Sequence, residues 1–517
     1  MDRYLYIAVF TSGMTTLALE FTASRMLGSV FGTSNLVWAS IIGLILIYLT
    51  VGYFIGGRWA DRSPYANTLY RILAWGAFTA GMVPLISRPV LRLAAEAFDQ
   101  LSIGILLGSF VAVLVLFTLP VTLLGTISPF AIRLSITNPQ HAGKVSGRIY
   151  AISTLGSFIG TFLPVLVFIP LFGTTLTFII FSLILLCVAL VGLWLSSGWR
   201  SVLALAWMPI LIIILAIFIA NRPIKSTSGQ IYETESAYNY IQVLEKNGYR
   251  MLRLNEGQGI HSVWHPTILN YYGPWEQFLA APFFNPAPHR LEDVMNIAII
   301  GLAAGTLARQ ATEVFGDIPI DGYEIDPAII TVGKQYFDMN EPNLRAIPQD
   351  GRWGLEHSSL QYSIIAVDAY QPPYIPWHLT TKEFFQTVRA HLYEDGVMVI
   401  NVGRSPTDRR LIDGLTSTIQ AVFPSVYVMD VPGTFNSIIY ATAQPTDIIN
   451  LYQNYVALQS HSDTHPLLNE SIQRVIVYQQ PTAKSQVIFT DDLAPIELIT
   501  NDMILNFVFF GNMELTQ

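Results

Sequence analysis

Three acids follow three apolar runs in the second half of the chain: Glu324 after "IPIDGY", Asp350 after "LRAIPQ" and Asp368 after "YSIIAV". Ahead of them, "IAIIGLAAGTLAR" breaks an apolar run at Gly301 and Gly305 and resumes with helical spacing at Thr306. An acid about 20 residues past such a turn can accept hydrogen bonds from both ribose hydroxyls. One after the next strand can accept from an adenine amine, and one after the strand that follows can take or hold a proton over the same crevice. The turn lacks the G-x-G-x-x-G spacing of a dinucleotide site and the G-K-[ST] of a triphosphate site. A nucleoside carrying little phosphate is the ligand that remains. Each acid alone could be a helix cap, a turn residue or an exposed charge; their joint placement beside the glycine turn makes the case for a site.

The elements that must hold these residues can be read from periodicity. Strands are expected at Asn296–Gly301, Ile318–Ile325, Leu344–Pro348, Tyr362–Asp368, Val397–Val402, Ser425–Val431 and Ser437–Ala443, with helices centred on Ala308, Ile330, Trp353, Phe385 and Leu415 between them. That alternation predicts a mostly parallel, doubly wound sheet whose ligands sit outside the carboxyl ends of its strands. Before it, "QIYETE", "NYIQVLEKN", "YRMLRLNEG" and "IHSVWHP", with Asn247-Gly248 as a turn signal, predict a small antiparallel sheet.

The first 220 residues differ in kind. The chain has 517 residues, 52% hydrophobic and 12% charged, too apolar for a wholly water-soluble protein. Seven stretches have the roughly 20 apolar residues that a bilayer crossing needs: Tyr4–Met26, Leu36–Gly57, Leu69–Ser87, Ile103–Ile127, Ile149–Phe172, Thr174–Leu195 and Ser201–Ala220. The expected organisation is a multi-pass helical membrane domain over 1–220, a small β-sheet subdomain with linker over 221–290, and a Rossmann-like α/β domain over 291–517. The run from Tyr4 is too long for a cleavable signal. Basic residues favour a cytoplasmic N-terminus; seven crossings would then put the second half outside, so one segment is expected not to cross fully. Glu20 is costly inside a bilayer unless paired or wet, and pairing with Arg25 is the plainer expectation over a transport role. A net charge of -8 offers no basic face for nucleic acid. Cys187 stands alone, and no Cys/His spacing suggests a metal.

The soluble-type half resembles the spermidine synthase family of polyamine aminopropyltransferases, in particular its membrane-fused members, through "SAYNYIQV", "LNEGQGIHSV", "GLAAGT", "YEIDP", "PQDGR", "VDAYQPPYIPWHLTTKEFF" and "FTDDLAPIE". The resemblance implies a methyltransferase-type Rossmann domain behind a small β-sheet. It implies transfer of the aminopropyl group of decarboxylated S-adenosylmethionine to putrescine or a similar amine, giving methylthioadenosine and a spermidine-type polyamine. It assigns Glu324 to the ribose, Asp350 to the adenine and Asp368 to acid/base catalysis, with Asn239, Gly301 and Gly305 at the nucleoside. Glu256, Tyr271 and Tyr370 fall at the amine, and Tyr374 and Trp377 are further aromatic candidates; by charge count alone Asp491 and Asp492 restore acid there, with helix capping by Thr490 or Asp491 as the alternative. The chain departs from the family pattern at Ala304, where an acid grips the aminopropyl ammonium, and at Gln371, where a second diamine-binding acid stands. Ile260 replaces a Gln. These losses keep two alternatives open: methyl transfer from S-adenosylmethionine, and a non-catalytic nucleoside- or polyamine-sensing domain on a membrane carrier. "GGRWADRS" is similar to a loop of major-facilitator transporters, which suits the last. The expected partners are a small amine and the lipid bilayer, with homodimer pairing common in this fold, and the expected location is the plasma membrane with the soluble half cytoplasmic.

Overall fold

The computed structural model describes residues 2–31, 35–101, 104–220, 227–255, 259–370, 374–405, 408–460, 464–483, 485 and 487–503. Contacts divide the chain into two units, Met1–Ser226 with Thr234–Tyr240, and Thr227–Glu233 with Ile241–Gln517.

The first unit is helical: α1 (Asp2–Phe31), α2 (Asn35–Arg62), α3 (Ala66–Leu101), α4 (Gly104–Gly125), α5 (Ile127–Ser135), α6 (Ala142–Leu163), α7 (Ile169–Ser197), α8 (Trp199–Leu203) and α9 (Trp207–Ala220). Among the described residues, six helical stretches are long and apolar enough to cross a bilayer. One of them, the 59-residue Pro139–Ser197, holds both the fifth and the sixth expected segments. Gly173, at φ +76°, breaks it between them. The seventh expected segment is not one helix, since residues 204–206 turn between α8 and α9, and Ile103 of the fourth lies outside the described residues. Phe54, Leu166, Leu171, Ile217 and Phe218 are 67–69% exposed, an apolar surface of the kind that lipid covers.

Glycine sets the closeness of packing in this unit. A Cβ at Gly156 or Gly160 of α6 would stand 2.0 Å from the backbone oxygens of Phe10 and Met14 in α1. Likewise, a Cβ at Gly52 or Gly56 of α2 would meet the Thr122 oxygen or Thr126 at 2.4–2.6 Å. Small residues four apart let helix backbones approach in a medium where apolar burial drives little association. The expected Glu20–Arg25 pair does not form. Arg25 instead donates to the backbone oxygens of Ser236 and Tyr238.

The second unit opens with a four-stranded sheet, β1 (Gln230–Glu235), β2 (Tyr240–Lys246), β3 (Tyr249–Leu254) and β4 (Ile260–Trp264), in that spatial order. Asn247 and Gly248 join β2 to β3 with φ of 55° and 83°, the left-handed pair that a tight hairpin requires. The α/β body follows: β5 (Ile297–Ile300), α10 (Thr306–Phe315), β6 (Ile320–Glu324), α11 (Pro327–Tyr336), β7 (Leu344–Pro348), α12 (Gly351–Glu356), β8 (Tyr362–Val367), α13 (Lys382–Ala390), β9 (Leu392–Gly403), α14 (Arg410–Gln420), β10 (Ser425–Asp430), β11 (Asn436–Thr442), α15 (Ile449–Gln459), α16 (Pro466–Val477) and β12 (Gln479–Gln480). The sheet order is β12-β10-β11-β9-β8-β5-β6-β7. Strands β5 to β9 are parallel, and β10 to β12 are added antiparallel. Chain order reverses between β5 and β8, which opens a crevice at their carboxyl ends.

Local pattern accounts for these strands. Ile297–Ile300 and Tyr362–Val367 are buried throughout, as continuous apolar runs in a sheet covered on both faces should be. Residues Trp275–Phe284 form a wholly buried 3-10 segment, and with α15 and α16 it lies outside the alternation read from the sequence.

Gly160→Val is expected to destabilise the first unit by about 1–3 kcal/mol or prevent its folding, read as a lowered unfolding temperature in detergent. Gly43→Ala, where nothing lies within 4 Å, should leave it unchanged or raised. Equal melts for Gly160→Val and wild type would contradict the close α1–α6 approach.

Candidate functional site

The glycine turn and the acids meet at the crevice. Gly301 and Gly305 have φ of +89° and +85°, so both need the left-handed freedom of glycine. The close approach they allow is to the protein itself. A Cβ on Gly301 would lie 2.5 Å from the Asp368 carbonyl oxygen, and one on Gly305 would lie 2.6 Å from Met339 Cγ. Every N–H of the turn is used. Gly301 and Leu302 donate to the Tyr323 oxygen and Gly305 to the Leu302 oxygen; Ala303 donates to Glu324 Oε2 at 2.9 Å and Ala304 to Ser262 Oγ at 2.9 Å. A turn with all its donors engaged offers no cradle for phosphate, which fits a nucleoside ligand.

Glu324 ends β6, is 7% exposed and also accepts from the Asp326 N–H at 3.1 Å. Those two bonds leave further lone pairs on its carboxylate. Burial pushes its pKa up to about 7. The helix cap that Glu324 might have supplied is made by Asp326, which accepts from Ala328 N–H at 3.0 Å.

Asp350 caps α12, accepting from Trp353 N–H at 2.9 Å, and its second oxygen lies 3.0 Å from His378 Nε2. The hydrogen bond with His378 holds its pKa below the usual carboxylate range.

Asp368 follows β8, with its N–H bonded to the Ile300 oxygen at 2.8 Å. Asn401 Nδ2 donates to its Oδ1 at 2.8 Å and Trp275 donates as well. Asn436 Nδ2 in turn donates to Asn401 Oδ1 at 2.9 Å, fixing that amide's orientation. Burial pushes the Asp368 pKa up to about 7, against the lowering effect of both donors. Tyr370 lies beside this group, its hydroxyl donating to the Asn401 oxygen at 3.2 Å, and burial with the nearby Asp368 charge raises its pKa.

Adjacent strands lie about 4.8 Å apart. The acids after β8, β6 and β7 therefore share one sheet edge about 14 Å long with β5 and its turn between the first two. Among the described residues no Arg or Lys pairs with Glu324 or Asp368.

The other expected residues are dispersed. Tyr271 accepts from His265 N–H at 3.2 Å and lies edge-on to Trp275 at 6.5 Å. Tyr374 is buried and Trp377 is 49% exposed. Asp491 is drawn away from any amine: Arg352 holds it with two bonds of 2.8 and 2.7 Å, and Thr381 Oγ1 donates to it at 2.7 Å. Asp492 is exposed next to it. Neither a cap at Asp491 nor a charge restored to the crevice describes this clamp, because the guanidinium planar fork captures the carboxylate. Asn239 lies in a reverse turn of the first unit, its N–H donating to Ser236 Oγ at 2.8 Å. Glu256 and Gln371 lie outside the described residues.

Trp275, Glu276 and Asn401 were not anticipated. Glu276 is wholly buried and accepts from Tyr271 N–H at 2.6 Å, Gly273 N–H at 3.0 Å and Gln310 Nε2 at 3.0 Å. It pins the segment that carries Trp275. An acid inside the apolar "WEQFLAAPFF" was the available signal, since such a charge must be satisfied when buried.

The sheet order, with its glycine turn and acid-tipped strands, defines a Rossmann-like α/β domain of the methyltransferase type. Residues 290–453 match the model of the spermine/spermidine synthase domain. A polyamine aminopropyltransferase of Vibrio vulnificus is 30% identical over 39% of this chain and 68% of its own length. A probable polyamine aminopropyl transferase of Bifidobacterium longum is 32% identical over 55% of this chain and 66% of its own. A mouse eEF1A lysine and N-terminal methyltransferase is 28% identical over 30% of this chain and 24% of its own. The chain thus spans about two thirds of the two aminopropyltransferases, and it belongs to the spermine/spermidine synthase family of transferases.

Folding raises the Asp368 pKa from 3.8 to about 7, so the native state retains a proton that the unfolded chain releases. The stability this carboxyl contributes is complete below about pH 4 and is lost as pH rises through about 7. Asp368→Asn should therefore gain stability relative to wild type between pH 5 and pH 8 in thermal unfolding; parallel pH curves would contradict the buried carboxyl. Asp491→Asn should lower stability by about 1 kcal/mol, discounted for solvent exposure, and leave the KM for an amine substrate unchanged; a raised KM would return Asp491 to the site.

Proposed function

We propose that this protein is a membrane-anchored aminopropyltransferase that moves the aminopropyl group of decarboxylated S-adenosylmethionine to a small amine such as putrescine. The observation that carries this reading is the pair of buried carboxyls, Glu324 and Asp368, raised to about 7 with no cation beside them. Such groups favour cationic ligands, which restore their ionised form. Sulfonium and ammonium are both cations.

Glu324 holds the ribose with the lone pairs its two backbone donors leave free. Asp350, already charged and oriented by His378, takes the adenine amine. Gly301 and Gly305 shape the turn beneath the nucleoside. Asp368 accepts a proton from the amine, whose freed lone pair attacks the carbon bonded to sulfur. The C–N bond forms as the C–S bond breaks, the electron pair stays on sulfur, and methylthioadenosine leaves. A carboxylate with a pKa near 7 is a stronger base than an ordinary one and still ionises near neutrality. Trp275, Tyr271 and Tyr370 line the cationic path with aromatic faces, and Asp492 adds charge at its mouth. The six apolar stretches anchor the chain in the plasma membrane with the transferase on the cytoplasmic side, where an adenosyl co-substrate is made. A homodimer suits the fold.

One observation favours a second reading. Ala304, at the place of an ammonium-gripping acid, is 2% exposed, so nothing there needs an aminopropyl ammonium, and S-adenosylmethionine-dependent methyl transfer would fit. Calorimetry of the full chain in detergent with decarboxylated S-adenosylmethionine, S-adenosylmethionine and methylthioadenosine, followed by product analysis with putrescine, separates the two. Aminopropylated product is expected, with a rate that rises with pH through about 7, the value for Asp368. Asp368→Asn should lower turnover at least about 100-fold while sparing nucleoside binding. Glu324→Ala should weaken that binding by about 1–3 kcal/mol. Methylated product would replace this reading with the second, and absent turnover would leave a sensing domain.

A further inference from the structure

The helical unit contains a groove of about 480 Å³ between α2, α3 and α4. Its polar end is formed by Thr68 and Arg71, its walls by Trp59 and Trp75, and its apolar side by Leu119 and Leu123, with Thr79 at the far end. Arg71 is exposed and forms no ion pair among the described residues. Asp61, near the end of α2, is bonded to Arg133 at 3.0 Å, which leaves Arg58 and Arg62 of the same helix end as additional exposed cations.

Length fits one leaflet. At 1.5 Å per residue, Thr68 to Thr79 spans about 16 Å along α3, half of a hydrocarbon core about 30 Å thick. Trp59, near the end of α2, is 40% exposed, where a tryptophan marks the headgroup level, and Trp75, 43% exposed, lies about 6 Å further along α3 than Arg71.

We propose that this groove binds an anionic phospholipid, with the phosphate on Arg71 and Thr68 and one acyl chain along Trp75, Leu119 and Leu123. Charge selects the lipid: an unpaired guanidinium with two neighbouring arginines favours a net-negative headgroup over a zwitterionic one. The apolar side selects a lipid over a soluble phosphate, which would leave Leu119 and Leu123 uncovered. The inference rests on the membrane reading of the helices and is independent of the transfer chemistry, since none of these residues belongs to the second unit.

The test uses the full chain in phosphatidylcholine nanodiscs containing brominated acyl chains, carried either by phosphatidylglycerol or by phosphatidylcholine at equal mole fraction. The signal is quenching of Trp59 and Trp75, taken as the difference between wild type and the Trp59→Phe/Trp75→Phe double variant. Brominated phosphatidylglycerol is expected to reach half-maximal quenching at about fivefold lower mole fraction than brominated phosphatidylcholine. Arg71→Gln should abolish that preference and Arg71→Lys retain most of it, with aminopropyl transfer unchanged in both. Equal quenching by the two lipids would overturn the site and leave only annular lipid. No quenching by either would overturn the site together with the membrane reading, whatever the enzyme assay shows.

Discussion

The second unit depends on one backbone contact. Gly301 leaves β5 in a left-handed conformation with the Asp368 carbonyl where a side chain would begin. That contact closes the switch point between β5 and β8 and sets the distance from the glycine turn to the acid above it. The turn donors then follow from the fold: its N–H groups bond Tyr323, Glu324, Ser262 and Leu302, which stiffens the turn and leaves none for phosphate.

The buried acids show how one residue type is put to different uses. Glu276 has three donors and no cation, a closed set that anchors Trp275. Glu324 has two backbone donors and spare lone pairs. Asp368 has two side-chain donors, and Asn436 holds one of them in place. Burial opposes ionisation in all three, so their capacity to bind or take a proton is decided by what remains unsatisfied. Asp491 and Asp321 are the contrast, each clamped by an arginine fork.

The first unit solves a different problem. Its helices associate by close backbone approach at Gly13, Gly52, Gly56, Gly156 and Gly160, the packing that small residues allow. Large apolar side chains point outward in the same unit, the inverse of the second unit, whose sheet is covered on both faces.

The sequence by itself determined the features that local pattern controls. The apolar runs, the Asn247-Gly248 hairpin, the strand–helix alternation and the position of Glu324, Asp350 and Asp368 after their strands all depend on residues a few positions apart, and periodicity reports those directly. Only the tertiary structure decided the pairings. Arg352 and Asp491, Asn401 and Asp368, Trp275 and Asp368, and Gly301 with the Asp368 carbonyl join segments brought together by strand order. The antiparallel addition of β10 to β12 and the buried segment Trp275–Phe284 belong with them, since no local period marks either. Side-chain partners across the chain are chosen by packing and by the cost of leaving a buried charge unsatisfied, and those terms exist only once the chain has folded.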